Sequence, residues 1–268
     1  MEINAMYFSA TGTTERIIKK LSYELSMQSG KTHINFIDFT LPGVRKEPIS
    51  FNAEDIVIIG VPVYAGRVPN VLLSYLNAIK SEGSLAVAVV VYGNRNYDDA
   101  LIELIKILKL NNFKVIAAGA FIGEHSFSDV LAKDRPDEDD LVIVSNFSKQ
   151  IYEKLSAQNK KEANVPGSIP CRPYYKPKDK HGNPIDIRKV TPKTNDNCTD
   201  CKLCVSVCPM GSIDYNNVSK FNGICIKCGA CIKKCPVNAK YYDDENYLRH
   251  KYELEIEFAY RKEPELFL

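Results

Sequence analysis

Along the first 158 residues, apolar positions recur in two alternating rhythms. A run from Ile3 to Phe8 leads into a stretch near 13–28 in which Ile17, Leu21 and Leu25 share one helical face, and a second run follows from Ile34 to Phe39. Ile56-Val57-Ile58-Ile59-Gly60-Val61 is continuous and largely β-branched, as in a strand buried on both faces. Pro69 suits the first turn of a helix carrying Leu72, Leu76 and Ile79, and the run Leu85 to Tyr92 precedes a helix over 98–110. Val115 to Phe121 supplies a fifth strand, and a last helix opens at Asp134-Arg135-Pro136 with Val144, Phe147, Ile151 and Leu155 inward. Five strands with intervening helices predict an α/β fold, a doubly wound five-stranded parallel sheet.

The rhythm then stops. Residues 159–197 carry six prolines (Pro166, Pro170, Pro173, Pro177, Pro184 and Pro192) and no helical period, which predicts an extended linker. Tyr174-Tyr175, Ile185 and Ile187 suggest that it packs on a domain surface. Near the C-terminus, Tyr252, Leu254, Ile256, Phe258 and Tyr260 alternate with Glu253, Glu255 and Glu257, so a half-buried strand is expected over 252–260. Its apolar face would need the first domain, the linker or a second subunit. The boundaries drawn are 1–158, a proline-rich basic linker at 159–191, a small α+β module at 192–242 and a tail at 243–268.

A chain of 268 residues can hold one large domain and one small one. Its net charge of +2 conceals segments of about −3 (1–158), +5 (159–197), +4 (198–240) and −4 (241–268). The basic stretch is short and has no groove-reading motif, so no nucleic acid is expected. It reads instead as docking on acidic neighbours or steering an acidic partner. No run of 18 apolar residues occurs, and residues 1–20 lack a basic region followed by an apolar core. A soluble, cytoplasmic protein with no membrane association is expected.

Cysteine spacing changes the picture. Cys198-x2-Cys201-x2-Cys204-x3-Cys208-Pro209 is repeated as Cys225-x2-Cys228-x2-Cys231-x3-Cys235-Pro236, and 197–214 resembles 224–241 at an offset of 27. Three thiolates two residues apart can wrap a loop around three corners of a cubane, and proline turns the chain away after the fourth cysteine. This is the ligand pattern of two [4Fe-4S] clusters. Zinc sites use separated Cys pairs, and disulfides need an oxidising compartment. The pattern is similar to that of two-cluster ferredoxins. That resemblance implies crossed ligation, with Cys198, Cys201, Cys204 and Cys235 on one cluster and Cys225, Cys228, Cys231 and Cys208 on the other. Ile213, Ile224, Ile226 and Val237 are expected to shield the sulfides. Cys171 lies outside both runs and reads as uninvolved.

The first strand runs into Ser9-Ala10-Thr11-Gly12-Thr13-Thr14, where hydroxyls and free N–H groups at a helix start make a phosphate cradle. There is no Walker lysine and no G-x-G-x-x-G, so a mononucleotide fits better than a triphosphate or a dinucleotide. The loop matches the S/T-x-T-G-x-T phosphate loop of the flavodoxin family, which residues 1–157 resemble. Pro62-Val63-Tyr64-Ala65-Gly66-Arg67 and Gly93-Asn94-Arg95-Asn96-Tyr97 follow the third and fourth strands, where flavodoxins place the loops that grip the isoalloxazine ring. By resemblance the cofactor is FMN, bound by Ser9, Thr11, Gly12, Thr13 and Thr14 with residues 62–67 and 93–97. Tyr64 or Tyr97 would stack on the flavin. Arg67 and Arg95 would either stabilise its reduced form or pair with surface carboxylates. His125, after the fifth strand, is a proton-donor candidate or a structural residue. Asp137-Glu138-Asp139-Asp140 reads as acidic residues in a helix's first turn rather than as a metal site.

The whole chain resembles flavodoxin–ferredoxin fusion proteins. The resemblance implies an electron-transfer iron–sulfur flavoprotein passing electrons between FMN and two [4Fe-4S] clusters, with ferredoxin-type redox proteins as donors or acceptors. The alternative is a flavin-dependent reductase in which the clusters feed FMN for reduction of a small molecule. No covalent nucleophile or paired carboxylates mark an enzyme, no catalytic residue is assigned, and a homodimer is left open.

Overall fold

A computed structural model of the chain describes residues 2–31, 33–179 and 181–268. The first domain alternates β1 (Ile3–Tyr7), α1 (Thr13–Ser29), β2 (Ile34–Asp38), β3 (Ile56–Pro62), α2 (Leu73–Ala78), β4 (Leu85–Tyr92), α3 (Ala100–Leu110), β5 (Lys114–Ile122) and α4 (Glu138–Ser156). Five parallel strands lie in the order β2-β1-β3-β4-β5, with β1 paired to both β2 and β3. This is the flavodoxin-like doubly wound order, whose switch point lies between β1 and β3.

Period two divides the core between the two faces of the sheet. Ile3, Ala5 and Tyr7 meet Ile17 and Leu21 of α1 and Phe147 and Ile151 of α4, whereas Met6 and Phe8 belong with Leu76 of α2 and Leu104 and Leu108 of α3. Each large apolar side chain buried here contributes about 1.5–3 kcal/mol. Helix α4 begins behind Asp137, whose carboxylate accepts from Asp140 N at 3.1 Å in a capping box.

The linker is extended and packed along the first domain. Ala163 N donates to Val115 O at 2.9 Å, Tyr174 Oη to Val68 O at 2.8 Å and Tyr175 N to Ala65 O at 2.9 Å. Arg172 grips the buried carboxylate of Asp99 with Nε at 2.9 Å and Nη2 at 2.6 Å.

In the cysteine-rich module the internal repeat becomes geometry. Helices α5 (Leu203–Ser206) and α6 (Ala230–Lys233) are 27 residues apart, each behind a left-handed residue, Lys202 (φ 62°) or Gly229 (φ 76°). Strand segments Lys193–Thr194 and Lys240–Tyr241 pair antiparallel and close the module. Of the expected shielding residues, Ile213 is buried, Ile226 packs on the first domain's core, and Ile224 is 66 % exposed and shields nothing.

The tail differs from expectation. Residues Glu245–Glu257 form a helix, α7, and the strand expected over 252–260 does not exist. Asp244 caps the helix by accepting from Tyr247 N at 2.9 Å, and Tyr247, His250 and Leu254 form the buried face. Tyr252 and Ile256, which the alternation placed inward, are 63 % and 62 % exposed. A strand does follow at β6 (Glu265–Phe267), which adds antiparallel to β5 and covers that edge of the parallel sheet.

Candidate functional site

At the C-terminal end of β1, Ser9 is anchored through Ser9 N donating to Thr40 Oγ1 at 2.8 Å, and Ser9 Oγ accepts from Glu15 N at 3.0 Å. Gly12 precedes α1 with φ 96°, a conformation that glycine adopts without strain. The backbone N–H groups of residues 10–14 find no partner among the described residues. Together with the positive end of α1 they suit an anionic group.

This loop opens onto a cleft of about 440 Å³ of empty volume. Thr11, Thr13, Thr14, Pro62, Val63, Tyr64 and Gly93 line it, with Ala10 of the phosphate loop and the proton-donor candidate His125; Val91, Tyr92, Gly123, Glu124, Ser126 and Cys228 also line it and were not among the expected binding residues. Residues 123–126 follow β5 at the same end of the sheet as the other loops, and that topology was the available signal. Nothing near Cys228 in sequence points to the cleft.

The rest of the expected flavin set lies outside this lining, and many of its members have partners within the chain. Tyr64 and Arg67 exchange backbone hydrogen bonds of 3.0 and 3.1 Å, folding Ala65 and Gly66 into a tight turn outside the cleft lining. Arg67 pairs with Glu103 (Nε to Oε2, 2.8 Å) and lies 4.9 Å from the Tyr174 ring centre, while Arg95 pairs with Asp98 and sits over Tyr175. Both arginines are therefore neutralised locally. Asn94 Nδ2 donates to Phe258 O at 2.7 Å and Tyr260 O at 2.8 Å, and Asn96 accepts from Asp98 N, so the 94–97 loop is dressed by the tail and by itself. Tyr97 is buried against Tyr92, and its hydroxyl donates to Glu265 at 2.7 Å.

His125 Nδ1 accepts from Phe127 N at 3.1 Å, which leaves the proton on Nε2. Burial pushes its pKa down to about 3, with the charges of His250, Lys233 and Arg95 adding, so the ring is neutral at physiological pH. Burial also pushes the Tyr64 hydroxyl well above its ordinary value, and Cys228 and Cys225 reinforce the shift.

The eight cysteines separate into two sets. Cys198, Cys201, Cys204 and Cys235 surround one cavity with about 320 Å³ of empty volume, and Lys202, Val218, Val237 and Lys240 are among the residues of its wall. Cys225 and Cys208 both act on the thiols of Cys228 and Cys231; burial is the larger cause and drives Cys228 up to about 12. The first set joins three cysteines of one run to the last cysteine of the other, and the remaining four make up the second. Backbone N–H groups repeat this symmetry, with Ser212 N at 3.4 Å from Cys208 Sγ and Ala239 N at 3.2 Å from Cys235 Sγ. Among the described residues no three Cys, His, Asp or Glu side chains converge on a point that would hold a single ion. The first set instead places four thiols around one cavity, the donor type of a thiolate-bound cluster.

The second set is seated on the cleft. Gly229 approaches so closely that a Cβ there would come within 2.6 Å of Ser126 O. Lys233 pairs with Glu124 and donates to Ser128 O at 2.8 Å, and Arg45 Nη2 donates to Pro209 O at 2.6 Å. Cys228 is thereby placed in the cleft wall with Tyr64. Cys171, near Arg67 in the linker, belongs to neither set, and burial raises its thiol pKa. Among the described residues no helix is long and apolar enough to cross a membrane.

Residues 197–240 match the family model of the 4Fe-4S dicluster domain. Among solved structures, a flavodoxin from the domain Archaea is 15 % identical with a TM-score of 0.41, over 58 % of this chain and 99 % of that one. Flavodoxin 2 from Bacillus cereus is 17 % identical with a TM-score of 0.44, over 57 % and 99 %. Rubredoxin oxygen:oxidoreductase from Desulfovibrio gigas is 13 % identical with a TM-score of 0.38, over 59 % of this chain and 36 % of that one. No curated protein matches the chain. Strand order and the cysteine repeat, read with the family match, give the conclusion: the chain joins a flavodoxin-like α/β domain to a 4Fe-4S dicluster domain.

Proposed function

We propose that the chain is an electron-transfer iron–sulfur flavoprotein that binds FMN in the cleft above α1 and two [4Fe-4S] clusters in the two cysteine sets. The observation that carries this reading is the position of Cys228, which belongs to the second cysteine set and also lines the cleft beside Tyr64 and Gly93. When bound, FMN supplies one- or two-electron chemistry and each cluster supplies one-electron chemistry.

The chain's residues divide the work. Unpaired N–H groups at 10–14 and the hydroxyls of Thr11, Thr13 and Thr14 bind the phosphate, and Tyr64 presents its ring to the flavin. His125 offers Nε2–H as a fixed neutral donor. Cys228 and the seat formed by Gly229 and Lys233 exclude water between the modules.

The outer set, Cys198, Cys201, Cys204 and Cys235, is the port for ferredoxin-type redox proteins, since Cys201 and neighbouring Leu203 are exposed. Cys228 in the cleft wall favours electron transfer with the cysteine module over hydride delivery to a small substrate. Cysteine ligation of two oxygen-sensitive clusters suits a reducing cytoplasm.

Protein purified without oxygen should hold about eight irons, as paired 4Fe-4S sites require, and about one FMN. Reduced protein should be reoxidised by a ferredoxin-type acceptor. Zinc without acid-labile sulfide, or saturable turnover with a small organic acceptor alone, overturns the reading.

A further inference from the structure

Lys240 is 3 % exposed and lines the cavity of the outer cysteine set. Its ammonium donates to Thr194 Oγ1 at 2.7 Å and to the carbonyl of Val218, both neutral acceptors. Among the described residues it makes no ion pair with a carboxylate. A buried cation is costly unless an anion offsets it. The residue one repeat earlier is Ile213, also buried, so the fold has room for an apolar side chain in the equivalent position. The other buried lysine of the module, Lys227, donates to the carbonyls of Arg188 and Cys225 and lines neither cleft nor cavity.

We propose that Lys240 is the internal counter-ion of the outer cluster and raises its reduction potential above that of a site lacking this charge. The inference rests on the cofactor reading above. Four thiolates around a [4Fe-4S] core carry net negative charge, which grows by one on reduction, so a nearby ammonium favours the reduced form. The Lys240 side chain lines the outer cavity and not the cleft.

The test uses the full-length protein with both clusters loaded, and Lys240→Met and Lys240→Gln. Glutamine keeps a donor for Thr194 or Val218 and removes only the charge. Redox titration followed by EPR should show the outer cluster's one-electron equilibrium shifted about tenfold or more toward the oxidised form, equivalent to 59 mV per decade. A smaller shift is expected at the inner cluster. A purely structural lysine would leave the potentials unmoved, so two intact clusters with wild-type potentials in either variant overturn the proposal. Should neither variant assemble, 15N-lysine labelling of Lys202→Arg, which leaves Lys240 as the labelled lysine of that cavity, decides: hyperfine coupling of an ε-nitrogen to the reduced outer cluster is expected, and its absence overturns the proposal. Absence of [4Fe-4S] signals from wild type would instead overturn the cofactor reading.

Discussion

Tyr242 Oη lies 3.9 Å from Cys225 Sγ, whereas its counterpart one repeat earlier, Tyr215, is 66 % exposed. Burial and the nearby thiols push the Tyr242 hydroxyl far up, so it keeps its proton, and toward an ionised cysteine it can only donate. Tyr247 stacks on it at 4.0 Å and holds the ring. Because the backbone donors to sulfur occur in both repeats, this hydroxyl is one source of difference between the two cysteine sets.

Tyr242→Phe should therefore lower the inner cluster's potential. A two- to tenfold change in its one-electron equilibrium is about 20–60 mV. Tyr215→Phe should change neither cluster. Equal shifts in both variants, read by EPR titration, would assign the effect to general packing.

Tyr64 and Tyr97 were equal candidates for stacking on a flavin, and their surroundings now separate them. Tyr64→Ala should weaken FMN binding at least severalfold by fluorescence titration. Tyr97→Phe should leave that affinity unchanged and reduce stability by about 0.5–1.5 kcal/mol, because a part-buried bond to the Glu265 carboxylate is lost. Matching losses of FMN affinity would contradict the placement of the cleft.

Asp99 ties the linker to the first domain. Its carboxyl is held well below the ordinary range by the Arg172 guanidinium, helped by the Arg172 and Ser168 N–H groups. A depressed carboxylate stabilises the fold above its unfolded pKa of about 3.9, and that contribution fades as pH falls through the lower folded value. Wild type should lose more stability than Asp99→Asn between about pH 5 and pH 2. Parallel pH profiles would remove Asp99 as the linked group.

Gly229 sets how closely the two domains approach. Valine there would meet Ser126 O and also force a side chain into φ 76°, so Gly229→Val should push the inner set away from the cleft. Electron transfer to the flavin should slow about tenfold or more, since about 1.4 kcal/mol on a barrier is already a factor of ten. Iron content should stay unchanged, as should FMN content; an unaltered rate would place the route elsewhere.

Much of this arrangement was written locally in the chain. The β-branched run at 56–61 and the faces of Ile17, Leu21 and Leu25 follow from periodicity, and cluster spacing follows from ligand geometry. The tail misled because Tyr252 to Tyr260 alternates with glutamates, a strand-like signature. Asp244 as N-cap and the i, i+3, i+7 set Tyr247, His250 and Leu254 also lay in the sequence, and burial against Phe127 and Tyr242 selected the helix. Tyr97 and Cys228 were illegible for another reason. What each faces is supplied by residues far away in sequence, Glu265 for the first and the loops after β1, β3 and β4 for the second.

The central claim is that the inner cluster and the flavin meet across Cys228 within one chain. Stopped-flow or flash reduction of the clusters without oxygen, followed at flavin wavelengths over a tenfold range of protein concentration, tests it most directly. The account predicts a flavin reduction rate independent of concentration. A rate rising in proportion to concentration, or no flavin signal at all, would contradict it.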